Sequence, residues 1–100
     1  MSLDFTFRGE LFQTVEIANG AWVFVALPTD RADEILALKT RRPGFGSVRV
    51  TARIGSSEWQ TSIFPSKEYG SYLLPVKKSI RVQEMIDSGD TVEITIRVEI

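Results

Sequence analysis

The feature that most limits the possible folds is a supersecondary unit written twice. FVALPTDRADEILALKTRRPGFGSVRVTARI and YLLPVKKSIRVQEMIDSGDTVEITI both read strand, Leu-Pro, short helix, glycine, strand. Aligned on Leu27-Pro28 and Leu74-Pro75, Gly46-Ser47-Val48 falls against Gly89-Asp90-Thr91-Val92, and a long alternating strand follows in both. One unit alone is too small to bury both faces of its strands. Two units related by a pseudo-twofold axis close a small barrel and remove the exposed edges. The expected fold is therefore mainly β. It is a small closed barrel with an internal repeat, about 3–54 and about 48–100, sharing the central strand region, with two short helices. Such a chain is a single-chain counterpart of a homodimer and is expected to be a monomer.

The rest of the chain fits that plan. Leu3, Phe5, Phe7, Gly9 and Leu11 alternate with Asp4, Thr6, Arg8 and Glu10, the period of a half-buried strand. Ala18-Asn19-Gly20 supplies a turn. Trp22 to Leu27 reads as a strand apolar on both faces, hence covered on both sides, with Trp22 in the core. After Pro28, Thr29 or Asp30 caps a helix whose apolar stripe is Ile35, Leu36 and Leu38. Val48–Ile54 and Trp59–Ile63 alternate around the turn Gly55-Ser56-Ser57. Pro65 to Gly70 is a loop, Ser71 to Leu74 a short strand, and a helix of two turns lies near Ser79–Ile86. Asp87-Ser88-Gly89-Asp90 is a turn in which the aspartates bond nearby backbone. Val92, Ile94, Ile96, Val98 and Ile100 face inward on the last strand.

Composition narrows the chemistry. One hundred residues make one domain, 1–100, and 43% apolar residues suffice for a single core. Without cysteine there is no disulfide framework or thiolate. Without histidine the usual general base near neutral pH is missing, and any metal site must be all-oxygen. Twelve Lys and Arg against 13 Asp and Glu give a net charge of −1, without the basic excess of a dedicated nucleic-acid binder. No apolar run approaches the roughly 20 residues of a membrane span. MSLDFTFRGE has neither a basic n-region nor an apolar h-region, so no signal peptide is expected and the cytoplasm is the default compartment.

Two resemblances sharpen this reading. LPVKKSIRVQEMIDSGDTVEI resembles the AbrB/MazE-type swapped-hairpin regulators, with Ile80-Arg81 and Gly89-Asp90 in that family's order. Two extra residues before Ile80, and Glu84 where a leucine is usual, depart from it. A wider likeness runs through Trp22–Pro28, Gly44–Val50, Trp59–Pro65, Tyr72–Lys77 and Gly89–Val92, which look like the small bacterial family called domain of unknown function 1905. That resemblance implies a double-split β-barrel related in fold to the regulators, and it implies no settled activity.

Candidate site residues fall into three groups. Lys77, Lys78 and Arg81 cluster at the start of the second helix, where cations and free N–H groups suit a phosphate or carboxylate. The plainer alternative is a solvated helix face. Trp59, for which as for Trp22 buried core is the plainer reading, stands with Thr61 among polar neighbours on a strand near a turn and is the better aromatic binding candidate. Arg49 and Arg53 share one outer strand face, with Arg41 and Arg42 in a separate basic group. These four are the start of a nucleic-acid surface or, more plainly, cross-strand and helix-end charges, with Glu93, Arg97 and Glu99 placed to oppose Arg49 and Arg53. Ser62, Ser66 and Ser79 have no histidine to activate them, and no paired carboxylates announce catalysis. The sequence therefore suggests a binding or interaction module for a small anionic ligand or a protein partner, with no cofactor and no metal. A nucleic-acid-binding regulator is the alternative, ahead of a small enzyme.

Overall fold

A computed structural model of the chain describes residues 2–14, 22–39 and 46–99. The elements run β1 (Ser2–Glu10), β2 (Phe12–Gln13), β3 (Val23–Ala26), α1 (Thr29–Lys39), β4 (Val48–Ile54), β5 (Ser57–Ser66), β6 (Ser71–Pro75), α2 (Lys78–Glu84) and β7 (Thr91–Glu99). The expected turn at Ala18–Gly20, the group Arg41 and Arg42, and Ile100 lie outside the described residues.

Alternation decides which face of each strand is inside. Ile94, Ile96 and Val98 on β7, Val50 and Ala52 on β4, and Phe5 and Phe7 on β1 are buried, while Thr91, Glu93, Arg97 and Glu99 face solvent. Each large apolar side chain removed from water stabilises by about 1.5–3 kcal/mol. The strands form one antiparallel sheet in the order β1-β7-β4-β5-β6-β3-β2. β5 is the strand on which the sheet bends. Its first part, Ser57 to Ile63, pairs with β4, and its last part, Phe64 to Ser66, pairs with β6. Pro65 is tolerated inside β5 because alternation turns its nitrogen to the β4 side, beyond the last β4 pair at Val48–Ile63.

The closed barrel expected from the sequence is corrected here. The sheet is strongly curled around the core but open, with β1 and β2 as its two edges. Only Leu11 separates these edges in sequence, so they cannot fold back to pair with one another; even the tightest hairpin needs two loop residues. Leu11 instead ties the bend to the turn before β7: its N–H donates to Asp90 O at 2.9 Å and its carbonyl accepts from Gly89 N–H at 2.7 Å.

The pairing pattern has a twofold character. Exchanging β1–β2 with β5, β3 with β6 and β4 with β7 returns the same strand order. Under that exchange the pair Ala52–Trp59 corresponds to Ile96–Phe5, and Ser66–Ser71 corresponds to Phe12–Phe24. Leu27-Pro28 then falls on Leu74-Pro75, the alignment suggested by the sequence.

Four local expectations change. Pro65 and Ser66, expected in the loop that runs to Gly70, lie in β5, because Phe64 to Ser66 pair with β6. Trp22 is not in the core but 54% exposed. Val23, Val25 and Leu27 take the inner face, so Trp22, Phe24 and Ala26 turn outward. β3 lies next to the two-residue edge strand β2, so its outer face is only partly covered. On α1 the buried residues are Ala32 and Ile35, and Leu36 is exposed. α2 is shifted to Lys78–Glu84 and ends on Met85 in a left-handed conformation (φ 57°, ψ 47°), whose N–H bonds to Val82 O.

Candidate functional site

The unequal pairing of β5 leaves a split in the sheet. From Glu58 to Ser62 no described strand lies on the side of β5 away from β4. α2 flanks this split, and its far end is locked to the β4–β5 turn. The Ser57 hydroxyl donates to Glu84 Oε2 at 2.5 Å and the Ser56 hydroxyl to the same oxygen at 3.2 Å. The Ser57 hydroxyl holds the Glu84 carboxyl below the ordinary glutamate value; with the smaller help of bonds from Ser56 and from the turn backbone it outweighs the opposing effect of desolvation. Gly55 makes the lock possible: its φ of +60° suits the first position of a two-residue hairpin turn, and a Cβ there would run into the Glu84 carboxylate.

The split opens into a groove of about 500 Å³. One wall is Trp59, Gln60 and Thr61 of β5; the other runs from Pro75 and Val76 to Lys77, Lys78 and Arg81. Trp22 stands at the rim, its ring stacked on Phe24 at 6.0 Å between centroids with 14° between planes. All five residues singled out as a ligand site, Lys77, Lys78, Arg81, Trp59 and Thr61, thus line one cavity.

Their roles within it differ. Lys77 and Lys78 are exposed, and no ion pair engages either among the described residues. Arg81 is already committed: its Nε donates to Val76 O at 3.1 Å and its Nη1 to Asp87 Oδ1 at 3.2 Å. It fixes the groove wall and adds charge from a partly buried position. Trp59 is only 7% exposed and serves as wall rather than shelf. Trp22 is the open aromatic surface that sequence reasoning placed in the core; it has the parity opposite to buried Val23 and Val25, but on a strand apolar on both faces that parity marks no outward side. The helix terminus adds little, because α2 has seven residues and the N–H groups of Ile80 and Arg81 both bond to Lys77 O at 3.1 Å. The cationic side chains, not the helix dipole, give this groove its sign.

The other candidates lie elsewhere. Arg49 and Arg53 are exposed on the outer face of β4, opposite Ser62 and Glu58 on β5. Toward β7, Arg53 faces Thr95, and Arg97 faces Thr51 rather than either arginine. Arg97 pairs instead with Asp4 at 3.5 Å, and Thr51 donates to Glu99 at 3.2 Å. That face also carries Glu58, Glu93 and Glu99, so its charges are mixed in sign. The turn before β7 behaves as read from the sequence: Asp87 N–H bonds to Asp90 Oδ2, Ser88 N–H to Asp87 Oδ1, and Gly89 takes a φ of +97°. No cluster of metal-ligating side chains occurs among the described residues, and no helix there is long and apolar enough to cross a membrane.

Fold and site together define a small, mainly β domain with a cation-lined groove between a strand and a short helix. A family model described as "Domain of unknown function (DUF1905)" matches residues 7–96, and the chain belongs to that family. No curated protein matches it.

Proposed function

We propose that this domain is a binding module that takes an anionic ligand in the groove between β5 and α2. The observation that carries the reading is the meeting of two lysines without ion-pair partners among the described residues, Lys77 and Lys78, with Arg81 and an exposed tryptophan on one cavity of about 500 Å³. Sites of this volume, with apolar walls and a few convergent polar groups, are typical of small-ligand binding. Lys77 and Lys78 supply attraction, Arg81 a fixed positive charge, Thr61 a hydroxyl, and Trp22 a surface for an apolar or planar portion of the ligand. The chain acts in this reading as a monomer in the bacterial cytoplasm. Its two halves, meeting at the β4–β5 turn, descend from one unit arranged as a double-split barrel of the AbrB kind; the exchange symmetry of the strand pairing supports this. Nucleic acid is the weaker alternative, because the Arg49 and Arg53 face is interleaved with carboxylates.

Thermal stabilisation by dicarboxylates, sugar phosphates and inorganic phosphate at low salt tests the proposal. A ligand at 100 times its dissociation constant stabilises by about 2.7 kcal/mol, which for a domain of this size is roughly 10 °C or more. The expected result is stabilisation by at least one small anion that disappears in Lys77→Ala/Lys78→Ala. Arg81 is left intact because it holds the backbone of Val76. Equal stabilisation of the double variant overturns the assignment.

A further inference from the structure

The two halves share one pairing frame, so each groove residue has a counterpart, and the counterparts differ. The exchange that brings Phe5 onto Trp59 also brings Phe7 onto Thr61, Asp30 onto Lys77, Arg31 onto Lys78 and Glu34 onto Arg81. In the first half these positions satisfy one another: Phe7 is buried, the Arg31 guanidinium lies 5.2 Å from the centre of the Phe5 ring, and Arg31 pairs with Glu34 at 2.8 Å. In the second half a threonine replaces the buried phenylalanine, and the two lysines lack ion-pair partners among the described residues. One half is occupied by its own side chains. The other presents unmet positive charge beside a strand edge.

That edge carries further binding capacity. A two-residue hairpin loop closes on a hydrogen-bonded pair, here Ile54–Ser57 around Gly55-Ser56. Hydrogen-bonded and non-hydrogen-bonded pairs then alternate along the ladder. Trp59, Thr61 and Ile63 therefore spend their backbone groups on β4. Glu58, Gln60 and Ser62 turn their N–H and C=O groups the other way, toward the groove, where no described strand takes them. The alternation agrees with the β5–β6 ladder, in which the next residues of that parity, Phe64 and Ser66, pair with Leu73 and Ser71.

We infer that the natural occupant of the groove is an extended acidic peptide segment, which adds as a strand to β5 at Glu58, Gln60 and Ser62 and sets its carboxylates against Lys77 and Lys78. Main-chain hydrogen bonds supply the affinity in this mode of recognition, and side-chain pockets supply the selectivity. The inference rests on the anion-binding reading and goes further, in naming a polypeptide rather than a small ion.

The test uses a blocked heptapeptide of alternating valine and glutamate, its analogue N-methylated at every residue, glutarate, and an oligothymidylate. Amide exchange is followed residue by residue at low salt. In the free protein the amides of Gln60 and Ser62 are expected to exchange fast and those of Trp59 and Thr61 to be protected. Saturation with the peptide is expected to slow Gln60 and Ser62 by about tenfold or more. The N-methylated analogue, stripped of edge donors, should bind at least about tenfold more weakly, as should the peptide to Lys77→Ala/Lys78→Ala. Binding of peptide and N-methylated analogue alike, or without protection of Gln60 and Ser62, overturns strand addition. Binding of glutarate alone overturns the peptide inference and leaves the anion site standing. Preference for the oligothymidylate overturns it in favour of nucleic acid, and failure of every probe removes both readings.

Discussion

Replacing Gly55 by alanine tests the lock that shapes the groove. Gly55 has a φ of +60°, and Gly70, in the turn between β5 and β6, has a φ of +62°. Left-handed backbone costs an L-residue roughly 1–2 kcal/mol, so both substitutions should destabilise. The two sites differ in what a Cβ meets. At Gly70 nothing lies within 4 Å, whereas at Gly55 the new methyl runs into the Glu84 carboxylate. Gly70→Ala should therefore lose about 1–2 kcal/mol from backbone strain alone, a fall in Tm of roughly 5–10 °C for a domain of this size. Gly55→Ala should lose that much and more, because Glu84 must also leave the Ser56 and Ser57 hydroxyls and α2 loses its anchor. Thermal and urea denaturation of the two variants, side by side, give the comparison. Adding Glu84→Ala should bring the Gly55 variant back toward the backbone cost alone. Equal losses at Gly55 and Gly70, with no change on removing Glu84, would refute the idea that this carboxylate seats on the turn.

Three further outcomes follow from the same geometry. Because Glu84 has a depressed pKa in the folded state, its contribution is fully present above the ordinary glutamate value, about 4.3, and is lost as the pH falls through its lower folded value. The unfolded chain binds more protons in that window, so stability rises with pH there. Tm measured from pH 5 down to pH 3 should show this slope, and Glu84→Gln should flatten it. Met85→Gly should stabilise by about 0.5–1 kcal/mol, relieved strain less the extra freedom of the unfolded chain; Met85 is 88% exposed, so its side chain forfeits little packing. A lower urea midpoint would contradict that. Ile96→Ala, at a fully buried position paired with both Phe5 and Ala52, should cost about 2–5 kcal/mol, read as the shift in the same midpoint.

How far the sequence discloses this architecture depends on whether a feature is local. β7 is legible because alternation of five apolar positions leaves one face for the core, and the Gly55 and Gly89 turns are legible because glycine marks a positive φ. The recurring Leu-Pro pair is legible because it is local: proline ends β6 and stands just past the end of β3. Trp22 fails because a strand apolar on both faces gives parity no polar side to mark as outward. Leu36 fails because α1 needs only Ala32 and Ile35 to cover the core. The open sheet and the groove are not local properties. They depend on β5 changing partners at Phe64, which no spacing within β5 announces. The Glu84 lock joins residues far apart in the chain, and only the fold brings them together. Lys77, Lys78 and Arg81 are legible as a cluster, but the division between two lysines without ion pairs among the described residues and one structural arginine appears only once Val76 and Asp87 are in place.

The central claim, that the groove between β5 and α2 binds an anion, is tested most directly by mapping backbone amide and tryptophan indole resonances during titration with glutarate and with the acidic heptapeptide at low salt. Saturable changes are expected at Trp22, Glu58 to Ser62 and Val76 to Arg81, together with their loss in Lys77→Ala/Lys78→Ala. Changes centred on Arg49 and Arg53, or changes that persist in the double variant, would contradict it.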